Sequence, residues 1–157
     1  MAVLQGRTIE EILELYKNYL NDDRINVIGL SFTLVIQELS SDRYINQFLN
    51  RLLILEKLND YIIKNNINAK PIHMLGSSSW IEAIICNKYK FIRSNDTKLL
   101  SRLAKGKIML EQKPIGKIDE KLFLLEQFDK QQHDVLQYNI THLKKAVIQS
   151  ENYNWFI

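Results

Sequence analysis

Apolar residues recur every three or four positions over residues 8–20, where Ile9, Ile12, Leu13, Leu15, Tyr16, Tyr19 and Leu20 form a stripe. That spacing predicts an amphipathic helix. Thr8 followed by Glu11 supplies a capping box at its start, and Asn21-Asp22-Asp23 ends it. Ile25–Leu30 is a short apolar run. The stretch Ser31–Leu39 reads as a second helix with Ser31 as its N-cap, although Val35 and Ile36 lower its propensity. Residues 44–63 admit two periods. Tyr44, Ile45, Phe48, Leu49, Leu52, Leu53, Leu55, Leu58, Tyr61 and Ile62 fit a helix, whereas Ile45, Gln47, Leu49, Arg51, Leu53 and Leu55 alternate as in a strand. The pattern favours the helix.

The second half of the chain reads differently. Asn65–Lys70 is a loop punctuated by Pro71, and Gly76-Ser77-Ser78-Ser79 is a turn. It lacks the Gly-Lys-Ser/Thr ending of a phosphate loop, and no helix is expected after it. Trp80–Cys86 reads as a strand, Asn87-Lys88 as a turn, and Tyr89–Ser94 as the partner strand. Asp96 or Thr97 is a candidate cap for a short helix through Leu103, and Lys113-Pro114-Ile115-Gly116 is a compact turn before a helix at about 117–128. From Val135 to Ile157, alternation with β-branched and aromatic residues predicts two strands reversing at Lys144-Lys145. Glu151 then shares a face with Val147, Tyr153 and Trp155, either solvated on an edge or held in a pocket with a partner. Early helices and late strand pairs predict an α+β fold, an antiparallel sheet with helices over one face.

Composition narrows the chemistry more than the fold. A chain of 157 residues suits a single domain. The net charge of +3 leans towards anionic partners, but Lys and Arg never run longer than two, so no concentrated basic face for nucleic acid is expected. Cys86 stands alone, which excludes an internal disulfide. The first twenty residues carry no apolar run typical of a secretory signal, and no stretch is long and apolar enough to span a membrane. His73, His133 and His142 are scattered, with no metal-ligand spacing, and nucleotide-binding and nucleophile-elbow motifs are missing.

Four local features, in order, resemble the chorismate lyase family, especially its cyanobacterial and plastid-encoded branch. They are Ser31-Phe32-Thr33 with Gln37 and Leu39, the pair Trp80–Cys86 and Phe91-Ile92-Arg93-Ser94, the turn Lys113–Gly116, and the stretch Lys144–Glu151. The resemblance implies an antiparallel sheet with helices folded over an internal pocket. It also implies cleavage of chorismate to 4-hydroxybenzoate and pyruvate without metal or cofactor. Glu151 is then the catalytic carboxylate, Ser31 and Thr33 lie in the helix covering the pocket, and Ile115 and Gly116 line its flap. The expected partner is a small anionic aromatic or pre-aromatic ligand, and the expected location is the plastid stroma or, outside that branch, the cytoplasm.

The sequence departs from the family where a dicarboxylate would be gripped. The strand matched to 80–86 has no arginine and carries Glu82, while Leu30 replaces the usual acid before the Ser-x-Thr segment. A bidentate guanidinium is the natural carboxylate receptor. Arg93 on the neighbouring strand is the candidate substitute. Two other readings stand beside the lyase: a non-catalytic ligand-binding domain on the same fold, and a mostly helical interaction protein built on residues 8–20, 31–39 and 44–63.

Overall fold

The computed structural model describes residues 1–76, 79–96, 99–112 and 127–151, the side chains of residues 150 and 151 excepted. The chain divides into two compact units. The first comprises Met1–Gly76 and Tyr89–Asp96, the second Ser77–Lys88 and Thr97–Ile157.

The first unit alternates strand and helix: β1 (Ala2–Leu4), α1 (Ile9–Leu20), β2 (Ile28–Ser31), α2 (Arg43–Lys64) and β3 (Ile72–Leu75), with β4 (Ile92–Asn95) as the last strand. The four strands form one sheet in the order β1-β2-β3-β4, and every neighbouring pair is parallel. This corrects the expected antiparallel sheet. The physical reason lies in the connections: parallel strands need a long crossover, and α1 and α2 supply it. Both crossovers step the same way across the sheet, so the right-handed rule puts α1 and α2 on one face, where they contact each other.

The strand register sorts the side chains. Leu4, Leu30 and Met74 stand level across three strands, and Ile28 and Ile72 stand level one layer away. All five are fully buried, as the face beneath the helices requires. Ile12 and Tyr16 of α1 and Ile54, Leu55 and Leu58 of α2 are equally buried. Each aliphatic side chain of this group stabilises the unit by about 2 kcal/mol. The opposite face carries Val3, Gly29, His73 and Leu75.

Two helices were legible. α1 starts at the expected capping box, with Thr8 Oγ1 accepting from Glu11 N at 3.2 Å and Glu11 Oε2 accepting from Arg7 N at 2.7 Å. Lys70 Nζ holds the other end by donating to the carbonyls of Tyr19 (2.8 Å) and Asp22 (2.7 Å). Residues 43–64 are helical, as the period favoured, and Asp42 caps them by accepting from Tyr44 N and Ile45 N. The expected helix at Ser31–Leu39 does not form. Ser31 ends β2, and residues 32–39 have neither helix nor strand. Asn50 of α2 explains why: its Oδ1 accepts from the amides of Ile36 (2.9 Å) and Gln37 (3.0 Å), and its Nδ2 donates to Gln37 O (2.8 Å). One buried amide side chain supplies the loop with the backbone partners that a helix would have given it.

In the second unit, α3 (Trp80–Cys86), α4 (Leu99–Lys105) and α5 (Lys130–Glu151) form contacts between α3 and α5 and between α4 and α5. The expected strand at Trp80–Cys86 is a helix: Ser79 caps it by accepting from Ile81 N, and the buried Glu82 and Cys86 are four residues apart. The expected strand pair over Val135–Ile157 is overturned as far as Glu151, while residues 152–157, Tyr153 and Trp155 among them, lie outside the described residues. Residues 130–151 are one helix, with Val135 and Asn139 buried and Leu143 half-buried at steps of four. Asn139 joins it to residues 108–110, accepting from Leu110 N at 2.9 Å and donating to Ile108 O at 3.1 Å. Leu99, Leu103 and Leu110 form the core, with Trp80, Ile108 and Leu143 packed against it. A helix at Asp96 or Thr97 through Leu103 was expected, and α4 begins at Leu99. The expected turn at 113–116 and helix at 117–128 lie, but for residues 127 and 128, outside the described residues.

Replacing Asn50 with Ala leaves the amides of Ile36 and Gln37 without their acceptor. Urea unfolding should show a loss of about 2 kcal/mol. Tyr16 behaves oppositely. Its buried hydroxyl has no hydrogen-bond partner among the described residues, and burial, with the nearby Tyr61 adding to it, pushes its pKa up to about 12. Tyr16→Phe should therefore leave stability unchanged or raise it by up to about 1 kcal/mol.

The exposed turn after α1 gives a pH test. Hydrogen bonds from the Arg24 side chain and amide hold the Asp22 carboxyl down at about 2. A lowered folded-state pKa favours folding above the ordinary carboxylate range, and that contribution fades as pH falls from about 4 towards about 2. Carbon-detected NMR titration should find Asp22 protonating near 2, and Arg24→Ala should return it to the ordinary range.

Candidate functional site

In a parallel sheet the strands all point one way, so the loops after them gather along a single edge. That edge carries the binding residues of such folds. Here its members are the residues following β1 (Gln5–Arg7), β2 (Ser31–Leu34), β3 (Gly76) and β4 (Asp96). All belong to the first unit.

Two groups of side chains occupy the edge. At the ends of β1 and β2 a cavity of about 520 Å³ is lined by Leu4, Gln5, Gly6, Arg7, Glu11, Ser31, Thr33 and Leu34. Its wall mixes apolar surface with one cation, one carboxylate and two hydroxyls, and its size suits a small organic molecule. Ser31 Oγ and Thr33 Oγ1 lie 3.0 Å apart, and Thr33 N donates to Ser31 Oγ at 3.3 Å. The hydroxyls are therefore fixed by a local turn of the backbone.

At the ends of β3 and β4, His73, Ser94 and Asp96 come together. His73 Nδ1 lies 2.8 Å from Ser94 Oγ, and its Nε2 lies 3.8 Å from Asp96 Oδ1. A β-bulge makes this possible. Ile72 pairs with Ile92, but His73 pairs with Ser94, so Arg93 is the extra residue. Without it, the regular alternation of β4 would put Arg93 opposite His73. Asp96 is 63 % exposed in its side chain, and its Oδ1 accepts from Gly76 N. No partner for its Oδ2 is seen among the described residues.

Gly76 is the hinge of the arrangement. It sits at φ +64, a left-handed conformation that favours glycine. Its N–H orients Asp96, while its carbonyl accepts from Arg51 Nη2 at 2.6 Å. Arg51 Nη1 also donates to Leu75 O at 2.9 Å, and its guanidinium lies 4.8 Å from the centre of the Phe32 ring. Arg51 is fully buried, so its geometry is fixed by packing as well as by hydrogen bonds.

The residues singled out from sequence fare unevenly. Ser31 and Thr33 come together in the cavity wall, although on a strand end and loop, not a helix. Arg93 is exposed at the bulge and does not line the cavity at the ends of β1 and β2. Glu151 is the last residue of α5, in the second unit, and not on a strand; its side chain lies outside the described residues. Ile115 and Gly116 also lie outside them. His73, Ser94, Asp96 and Arg51 were missed. Ile72–Leu75 before Gly76 is a short, mostly apolar run, but Phe91–Asn95 is polar from Arg93 onward, so no matching signal marked Ser94 and Asp96.

Among the described residues no three His, Cys, Asp or Glu side chains could share a metal ion, and no helix is long and apolar enough to cross a membrane. Family models, curated proteins and solved structures offer no match for this chain.

Gly76→Ala forces a Cβ into a left-handed conformation. The expected cost is about 1 kcal/mol, together with a displaced Asp96 visible as an amide chemical-shift change at residue 96. Arg51→Met removes the donors from the carbonyls of Leu75 and Gly76 and should cost about 3 kcal/mol in urea unfolding. A smaller loss than Gly76→Ala gives would show that the guanidinium does not hold the edge.

Proposed function

We propose that the chain forms the catalytic part of an enzyme that binds a small polar molecule along the C-terminal edge of its parallel sheet. Asp96 is the carboxylate that meets the substrate, His73 is its acid–base partner, and the cavity at Arg7, Ser31 and Thr33 holds the rest of the molecule. The observation that carries this reading is the His73–Ser94–Asp96 cluster, assembled by a bulge at the end of a parallel sheet. Strand ends are where side chains from separate segments converge on one point, and bulges are frequent beside active sites.

The chemistry follows from the placement. The exposed Asp96 oxygen is available to take a proton from a bound hydroxyl or amine. The Gly76 N–H keeps the other oxygen in place, so little reorganisation precedes the reaction. His73, 3.8 Å away, is within reach of a proton shared through a small movement or one water. Arg7 favours a substrate with an anionic group, which keeps a small anionic ligand within the reading. Chorismate remains a member of that class, supported by Ser31 and Thr33 in the cavity wall, while the antiparallel sheet implied by the lyase resemblance is not the sheet this chain has.

The test has two stages. Small carboxylates (chorismate and 4-hydroxybenzoate among them), phosphates, sugars and nucleosides are titrated into 15N-labelled protein. A true ligand moves the amides of Gly6, Thr33 and Gly76 together. Turnover of that compound should then fall about 100-fold or more in Asp96→Asn, with its binding retained. Binding with no turnover in the unaltered protein would favour a non-catalytic ligand-binding domain. Shifts confined to other surfaces would sink the site altogether.

A further inference from the structure

We propose that Ser94 is the positioning residue of the site. Its hydroxyl holds the His73 ring through Nδ1 while the proton of the ring sits on Nε2, aimed at Asp96. The role in turnover rests on the catalytic reading above; the hold on the ring does not.

The bulge decides which side chains share a face with His73. In the unbroken register set by Ile72 and Ile92, His73 would pair with Arg93 and Met74 with Ser94. Ser94 and Asp96 would then stand on the far face from the ring, because a slip of one residue exchanges the faces of a strand. With Arg93 inserted, His73 pairs with Ser94 and Met74 with Asn95. Asp96 N donates to Met74 O at 3.2 Å, so the pairing continues past the end of β4. Residues two apart on a strand share a face. Ser94 and Asp96 therefore both stand beside His73, and the ring meets one through each nitrogen. Nδ1 lies 2.8 Å from Ser94 Oγ, and Nε2 lies 3.8 Å from Asp96 Oδ1.

A neutral imidazole carries one proton, on one nitrogen or the other. With the proton on Nδ1, the Nε2 lone pair would point towards the Asp96 carboxylate, and the two would repel. With the proton on Nε2, an N–H points towards the carboxylate, and Nδ1 is left to accept from the Ser94 hydroxyl. The charge on Asp96 selects the second form.

Serine suits this place because a hydroxyl both donates and accepts. When Nδ1 takes up a proton from water, the hydroxyl turns and accepts from it. Nε2 then has a proton to give to a substrate oxygen beside Asp96. Giving it leaves a neutral ring with its proton on Nδ1, still held by the same hydroxyl. A partner that could only donate or only accept would release the ring at one of these stages. His73 is thus the proton donor of the site and Asp96 its base, with Ser94 keeping the ring in line throughout.

The test begins without substrate. Long-range proton–nitrogen spectra of the 15N-labelled full chain, at a pH where the ring is neutral, should show His73 protonated at Nε2. Ser94→Asp offers Nδ1 an acceptor that cannot donate, and should move the proton to Nδ1. Ser94 is exposed, so its variants are expected to fold. With a substrate in hand, Ser94→Ala should lower kcat about 10-fold with KM unchanged, and Ser94→Thr, which keeps the hydroxyl, should restore it. Three outcomes overturn the proposal: a resting ring protonated at Nδ1; a proton that stays on Nε2 in Ser94→Asp; and a kcat in Ser94→Ala equal to that of the unaltered protein, or equally low in Ser94→Thr. The first two need no substrate, so they decide the hold of Ser94 on the ring even where an unaffected Asp96→Asn overturns the catalytic reading.

Discussion

A buried guanidinium holds the working edge of this molecule. Arg51 reaches from the middle of α2 to the carbonyls of Leu75 and Gly76, where β3 ends, and its plane lies over Phe32, where β2 ends. Leu75 O accepts from Phe32 N at 3.0 Å as well as from Arg51, so the guanidinium adds to the last bond of the ladder and reaches one residue past it to Gly76. Arginine suits these two carbonyls because several rigid donors leave one side chain in fixed directions. With the ends of β2 and β3 held, Gly76 can take its left-handed turn and present its N–H to Asp96. The chain of dependence is short: Arg51 fixes Gly76, and Gly76 fixes Asp96.

Asn50, the next residue back along α2, does the corresponding task for the loop after β2. The two neighbours divide the edge between them. Asn50 satisfies the backbone of residues 36 and 37, and Arg51 that of residues 75 and 76. Both are fully buried polar residues on a helix that also buries Gln47, Phe48, Ile54, Leu55 and Leu58. A helix that supplied only apolar contacts would support the sheet equally well, but it would leave the loops to choose their own conformations. The polar pair converts a supporting helix into one that shapes the edge.

The second unit repeats the device with Asn139, which accepts from Leu110 N and donates to Ile108 O within an apolar core. Beside it, Glu111 joins α5 from the outside: Tyr138 donates to its carboxylate at 2.5 Å, and His142 lies at 3.3 Å. The Tyr138 hydrogen bond holds the Glu111 carboxyl below the usual range and, in the same contact, raises the Tyr138 phenol. In both units, side-chain amides satisfy the irregular backbone segments, and apolar packing supplies the remaining stability.

The sequence by itself determined the local elements whose signals are complete within a few residues. The capping box at Thr8 and Glu11 specifies α1, where period and cap agree, and the stripe from Tyr44 to Ile62 favours a helix for α2 over the strand period that the same residues also admit. It did not determine strand direction or the nature of the second half. Trp80–Cys86 and Val135–Glu151 alternate well enough for strands, and their β-branched and aromatic residues fit either state. They are helices because Ser79 caps one and because burial at Val135, Asn139 and Leu143 selects a step of four for the other. The candidate site was legible only at Ser31 and Thr33. His73 lies about twenty residues before Ser94 and Asp96, and only parallel pairing with a bulge at Arg93 brings it to them. That convergence is a property of the sheet register, which depends on contacts between distant segments, and no local pattern in the chain encodes it.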